Sequence, residues 1–259
     1  MPPLALLAGG RATRLGVLAE CMPKSLMEVA GEPFIAHQLQ MLVSQGVTDV
    51  VICCGHLGAM VQDVVGNGAQ FGCRVRYSYD GPILLGTGGA IRKALPLLGD
   101  CFWVMYGDSF LTLDFRAVLA AFDQSGKAGL MTVFRNDDHW DASNVVFTDG
   151  RIVHYAKRSR ASMEASMEGS REDSREDAMR HIDYGLSIFR APAFHQWPVD
   201  VAFDLSVVQS ELVARREMAG FEVNQRFYEV GSPAGLRETD TFLRSRHAVP
   251  AGAKIGVQA

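Results

Sequence analysis

The sequence predicts an α/β fold: a Rossmann-like, mostly parallel sheet with helices on both faces. Two observations carry that expectation. Apolar runs of strand length alternate with helical patterns through the first half of the chain, and such alternation builds a parallel sheet between helix layers. Glycines and polar residues follow several of those runs directly, at the strand ends where ligands of open α/β sheets bind. A chain of 259 residues that is 48% hydrophobic can bury a core of this kind.

Each element has its own signal. Leu4–Ala8 is a buried strand. Ile35, Leu39, Leu42 and Val43 share one helix face, and Gly46 ends that helix. Asp49–Cys54 is rich in β-branched residues and reads as the next strand. A helix over Leu57–Val65, a strand at Val75–Tyr79 and a helix after Gly88 follow. Phe102–Tyr106 is a strand and Phe115–Phe122 a helix. The second half is less regular. Leu130–Phe134, Val145–Thr148 and Arg151–Tyr155 read as strands, with Asp149-Gly150 as a hairpin turn between the last two. Leu186–Phe189 is a further strand. Asp204 caps a helix carrying Leu205, Val208, Leu212 and Val213, which Gly220 stops. Phe221–Val223 is strand-like, and Ser232-Pro233 opens a last helix. Ser162–Ala178 repeats Ser, Met, Arg, Glu and Asp without a β-branched or aromatic residue, the composition of a mobile, solvated insertion.

Composition excludes several classes. The formal net charge is −4 with no long basic run, so the chain has no nucleic-acid track. No apolar run reaches membrane-spanning length, and no basic segment followed by an apolar core opens the chain. These features place it in the cytoplasm. The five cysteines form no C-x-x-C pair, and Cys53-Cys54 lies inside a strand, so they read as reduced, structural thiols. Cys21 is the one loop candidate for exposure. None of the histidines has zinc-ligand spacing.

Four motifs carry chemistry. Leu6-Leu7-Ala8-Gly9-Gly10-Arg11-Ala12-Thr13-Arg14-Leu15 is a strand followed by a glycine turn, and Pro23-Lys24-Ser25-Leu26 comes next. Two glycines let the backbone approach an anion and offer it N–H groups. Arg14 can fork onto phosphate oxygens, and Lys24 supplies a point charge. Leu85-Gly86-Thr87-Gly88-Gly89-Ala90-Ile91 is a second glycine-rich turn at a helix start, suited to a flat base. Tyr106-Gly107-Asp108-Ser109 places a carboxylate at a strand end, which suits Mg²⁺. Tyr228-Glu229-Val230-Gly231-Ser232-Pro233 offers a second carboxylate.

Together these motifs resemble the sugar-1-phosphate nucleotidyltransferases, whose signature runs G-G-x-G-T-R-L and then P-K-x-L. Ala12 departs from the family's glycine, and Glu229 replaces the usual Asp before V-G-T-P. The Leu85–Ile91 turn is most similar to the heptose and mannose 1-phosphate guanylyltransferases. The resemblance implies the nucleotide-diphospho-sugar transferase type of fold over residues 1–245. Residues 1–125 would form the nucleotide-binding half. Residues 126–245 would form the sugar-phosphate half, with the insertion at 162–178, and 246–259 a tail. It implies a catalytic set of Arg14, Lys24 and Asp108, and nucleotide contacts from Leu7, Ala8, Gly9, Gly10, Arg14, Lys24, Gly86, Thr87 and Gly88. Sugar-phosphate contacts would come from Asn144, Lys157, Tyr184 and Gly185, with Asp183-Tyr184-Gly185 as the turn beneath the sugar. Mg²⁺ would sit on Asp108 and Glu229.

The implied reaction joins an NTP, GTP by preference, to a heptose- or mannose-like sugar 1-phosphate and releases pyrophosphate. That chemistry belongs to nucleotide-sugar supply for cell-surface polysaccharide. A cytidylyl-, uridylyl- or thymidylyltransferase for another sugar 1-phosphate stays open. So does a catalytically silent nucleotide-sugar sensor on the same fold, although sensors tend to lose the cations or carboxylates retained here. A homo-oligomer is compatible with the sequence. A dinucleotide-dependent dehydrogenase is not, because the first turn lacks G-x-G-x-x-G.

Overall fold

The computed structural model describes residues 1–10, 22–139, 142–157 and 179–247. Arg14, Cys21, the insertion at 162–178 and the tail from 248 lie outside them. Strands β1 (Leu4–Leu7), β4 (Asp49–Cys54), β5 (Arg74–Tyr79) and β6 (Cys101–Tyr106) are parallel, and a separate two-stranded ribbon of β2 (Glu28–Val29) and β3 (Glu32–Pro33) follows β1 in the chain. Helices α1 (Phe34–Ser44), α2 (Gly58–Val65) and α3 (Gly86–Leu98) alternate with them. After α4 (Phe115–Ser125) come β8 (Gly129–Arg135), β9 (Val145–Thr148), β10 (Arg151–Tyr155) and the long β11 (His181–Arg190). Helix α5 (Leu205–Ala214), β12 (Met218–Val223) and helix α6 (Pro233–His247) complete the main elements.

The nine-stranded sheet runs β5-β4-β1-β6-β11-β8-β12-β10-β9. Parallel pairing in the first four strands gives way to antiparallel pairing where β11 lies between β6 and β8. Strand order reverses between β1 and β6: the chain steps outward from β1 to β4 and β5, then returns to the other side of β1. Such a reversal opens a crevice at the carboxyl ends of the two strands.

Both faces of the sheet are covered. Leu4, Leu6, Val50, Ile52, Trp103 and Met105 point to the layer of α1, α2, α4 and α6. Ala5, Val51, Cys53, Phe102 and Val104 point to α3 and α5. This period of two explains why the central strands read as unbroken apolar runs.

Three expectations need correction. Gly220 does not stop α5. The helix ends at Ala214 with Arg215 as its C-cap, the next residue Arg216 takes a φ of 58° in the left-handed region, and Gly220 lies in β12 against Phe147, where a Cβ would come within 2.6 Å of the ring. The strand predicted at Leu186–Phe189 begins at His181. Asp183-Tyr184-Gly185 is therefore not a turn but an irregular stretch of β11, with a shifted register and Gly185 at φ 96°. Helix α3 begins at Gly86, ahead of the Gly88 start that the glycines suggested.

Candidate active site

The crevice between β1 and β6 holds a cavity of 450 Å³. Leu7, Ala8, Gly9 and Gly10 line it from the end of β1, and Gly107 and Asp108 from the end of β6. Close backbone approach shapes this rim. A Cβ on Gly107 would lie 2.6 Å from the Leu7 carbonyl oxygen, and one on Gly9 would lie 2.9 Å from the Gly55 nitrogen. Lys24, Gly86 and Thr87 also face the cavity. Gly88 does not line it. Gly88 packs under the Phe203 ring, and the N–H groups of Gly88 and Gly89 donate to the Phe203 carbonyl at 3.0 and 3.2 Å. Those two donors are thus committed within the protein, against the expectation that Gly88 offers itself to a base.

A second cavity, of 400 Å³, adjoins the first through Tyr106 and Asp108, which line both. Asn144, Lys157, Tyr184, Gly185 and Glu229 all line it. Their roles differ in the folded chain. The Asn144 side-chain oxygen accepts the Asp183 N–H at 2.9 Å, so the residue fixes the irregular stretch of β11. Tyr184 is 1% exposed and packs against Phe134 and Phe227, with its hydroxyl donating to the Arg226 carbonyl. It is a wall of the cavity and a member of the core. Lys157 pairs with Asp204 at 2.5 Å.

Asp108 and Glu229 meet through a ribbon too short to read in sequence. Strand β7 (Ser109–Phe110) pairs with β13 (Tyr228–Glu229), setting Glu229 opposite Ser109. The Val230 N–H donates to the Asp108 carbonyl at 2.9 Å. One point, where Gly231 lacks a Cβ, lies 3.7 Å from both Asp108 Oδ2 and Glu229 Oε1. Lys24 Nζ donates to Asp108 Oδ2 at 3.2 Å across 84 residues of chain. Two converging carboxylates are a donor set that suits Mg²⁺, which takes hard oxygens, few protein ligands and substrate phosphates. No group of three or more His, Cys, Asp or Glu side chains gathers as a metal cluster among the described residues.

Sequence reasoning missed three supporting residues. Gln38, fully buried on α1, donates to the carbonyls of Tyr106 and Ser109 at 3.2 and 2.8 Å. It clamps the loop that carries Asp108. A lone Gln among helix residues has no sequence signature, but a buried amide must find partners. Asp80, 8% exposed, accepts the Leu85 N–H at 3.0 Å and shapes the Gly86 turn. Gly55 follows β4 and lets β1 approach; a Cβ there would lie 2.7 Å from the Gly9 carbonyl.

Asp183 is a half-buried acid of the second cavity. Burial pushes its carboxyl up to about 6, although the Gly185 N–H and the Gln209 amide pull the other way. The folded value exceeds the unfolded one. Its favourable contribution is therefore present below about pH 4 and lost as pH rises through about 6. Asp183→Asn is thus expected to gain about 2 kcal/mol of stability at pH 7.5 and almost nothing near pH 3.5. The Asn side chain retains both internal bonds, because the buried Gln209 Oε1 has no partner among the described residues and can accept after the amide turns. Urea denaturation at the two pH values measures the difference. An equal gain at both would place the effect outside the titration of Asp183.

Comparison with known proteins assigns the chain. Residues 5–144 match the nucleotidyl transferase family profile. The chain belongs to that family. Among its relatives, the N-acetylmuramate alpha-1-phosphate uridylyltransferase of Neisseria meningitidis serogroup B is 40% identical over 113 residues, 43% of this chain and 49% of the relative. The mannose-1-phosphate guanyltransferase of Aspergillus fumigatus is 30% identical over 137 residues, 51% of this chain and 37% of the relative. The chain thus aligns with half or less of these relatives' length. The crystal structure of HddC from Yersinia pseudotuberculosis, complexed with GMP-PN, superposes with a TM-score of 0.74 at 19% identity. That match covers 94% of this chain and 100% of that one, and it speaks to the fold.

Proposed function

We propose that this protein transfers a nucleotidyl group from an NTP, with GTP preferred, to a heptose- or mannose-like sugar 1-phosphate. The products are a nucleotide sugar and pyrophosphate. One observation carries the reading: Asp108 stands in the wall shared by two adjoining cavities, with Lys24 on one side and Glu229 on the other. A phosphoryl group attacked by a second phosphate needs that arrangement, because donor and acceptor must meet in line at one charged centre.

In this reading the acceptor phosphate oxygen forms a bond to the α-phosphorus. The bond from that phosphorus to the bridging β-oxygen breaks, and pyrophosphate leaves on the opposite side. The nucleophile is already an anion, so no general base is required. The Gly9-Gly10 turn cradles the donor phosphates. Lys24 neutralises charge that grows at the α-phosphate, and Arg14 is assigned the β- and γ-phosphates by its motif. Lys157 takes the acceptor phosphate. Mg²⁺, held by Asp108 and Glu229, would supply charge neutralisation between the two substrates. The reading is that of a cytoplasmic enzyme supplying nucleotide sugar for polysaccharide.

The Leu85–Ile91 turn supports GTP, as does the kinship with mannose-1-phosphate guanyltransferases. A second reading, uridylyl transfer to N-acetylmuramate 1-phosphate, has the 40% identical relative in its favour. Pyrophosphate release decides between them. GTP, CTP, UTP and dTTP are each offered with mannose, heptose, glucose and N-acetylmuramate 1-phosphates. The expected result is the highest kcat/KM with GTP and a neutral hexose or heptose. UTP in first place would transfer the assignment to the second reading. No release with any pair would return the silent sensor.

A further inference from the structure

Lys157 has a long, flexible side chain that is 61% exposed. Among the described residues its ammonium bonds a single group, the Oδ2 of Asp204. An exposed lysine without such a partner samples many rotamers and must lose that freedom to bind a phosphate. Asp204 is itself tightly held. It is the N-cap of α5, and its Oδ1 accepts the Ser206 N–H at 2.9 Å.

The residues on either side of Asp204 are laced to the nucleotide-side turn. Phe203 N–H donates to the Leu85 carbonyl at 3.0 Å, and the Phe203 carbonyl accepts from Gly88. Leu205 N–H donates to the Thr87 hydroxyl oxygen at 2.8 Å. A three-residue stretch thus touches the turn lining one cavity and holds the cation lining the other.

We infer that Asp204 is a positioning residue for the acceptor phosphate: it aims Lys157 into the second cavity from a seat fixed by the Leu85–Gly89 turn. This inference rests on the proposed role of Lys157. An ammonium has three donors. One spent on Asp204 leaves two for phosphate oxygens, and the cation arrives already oriented.

The capping chemistry makes the test clean. Serine is as good an N-cap as aspartate, so Asp204→Ser keeps α5 and removes only the carboxylate that holds Lys157. The expected result is a KM for the sugar 1-phosphate about tenfold higher, within the coupling of two residues in one ion pair. Melting temperature and NTP binding should stay unchanged. In a Lys157→Ala background, Asp204→Ser should change that KM no further, since the residue it aims is gone.

Each outcome has one meaning. If Asp204→Ser leaves the KM alone, or lowers it, while Lys157→Ala raises it, Asp204 does not position the cation and the inference fails by itself. If Lys157→Ala leaves the KM unchanged, the assignment of Lys157 fails with it. Additive effects in the double variant would also overturn the inference, because Asp204 would then act by another route. A loss of melting temperature in Asp204→Ser is checked with Asp204→Asn, a second capping residue of different shape.

Discussion

Asp108→Asn is expected to lower turnover by a factor on the order of 10²–10³ while the fold persists. The variant keeps the size of the side chain and removes its charge. Asp108 stands where β6 ends, between the two cavities, and its Oδ2 faces the same point as Glu229 Oε1. A neutral amide there cannot share a divalent cation as a carboxylate does. The structural cost is small. The backbone bond from Val230 to the Asp108 carbonyl does not involve the side chain, and an amide oxygen can still accept from Lys24. Half-saturation for Mg²⁺ should rise together with the loss of rate, and Glu229→Gln should behave the same way. Pyrophosphate release as a function of Mg²⁺, with circular dichroism as a control, checks both. Activity close to that of the parent at limiting Mg²⁺ would remove the metal from these two residues.

Lys24→Ala should reduce kcat by about 10²-fold, with a smaller change in NTP affinity. A charge that neutralises the developing transition state acts on the rate, whereas uniform binding acts on KM alone. Lys24 is placed for this by the Pro23 turn and by the short helical turn Lys24–Leu26. Its Nζ reaches Asp108 at 3.2 Å, with both side chains partly sheltered from water. Here the Mg²⁺ half-saturation should not rise, since removing the ammonium frees Asp108 Oδ2 rather than blocking it. That contrast separates the two residues experimentally. A Lys24→Ala enzyme with only a raised KM would show that the ammonium serves the ground state.

The local signals were legible because they are local. Buried strands such as Asp49–Cys54 and the Asp149-Gly150 hairpin announce themselves in a few adjacent residues. At that hairpin both turn residues take positive φ, 49° and 72°, as the Asp-Gly pair suggests. The Gly9-Gly10 turn and Asp108 could be placed at one rim because parallel strands put their carboxyl ends on the same side. Asp204 as a helix cap was readable for a similar reason, since its bond to Ser206 spans two residues.

What the sequence determined by itself was the α/β class, most strand positions and the family to which its glycine and cation motifs belong. Tertiary structure alone decided how those pieces meet. The β7–β13 ribbon has two residues per strand, too few for any periodicity to register, yet it brings Glu229 beside Asp108. Gln38 looks like a surface residue on a helix and is instead the buried clamp of the Asp108 loop. Gly88 has the pattern of a base-reading glycine, but its N–H is taken by Phe203, more than a hundred residues away. Burial and long-range pairing assign these roles, and neither leaves a mark in neighbouring residues. A polar group's partner is chosen by the packing of the whole chain, after local propensity has settled the elements.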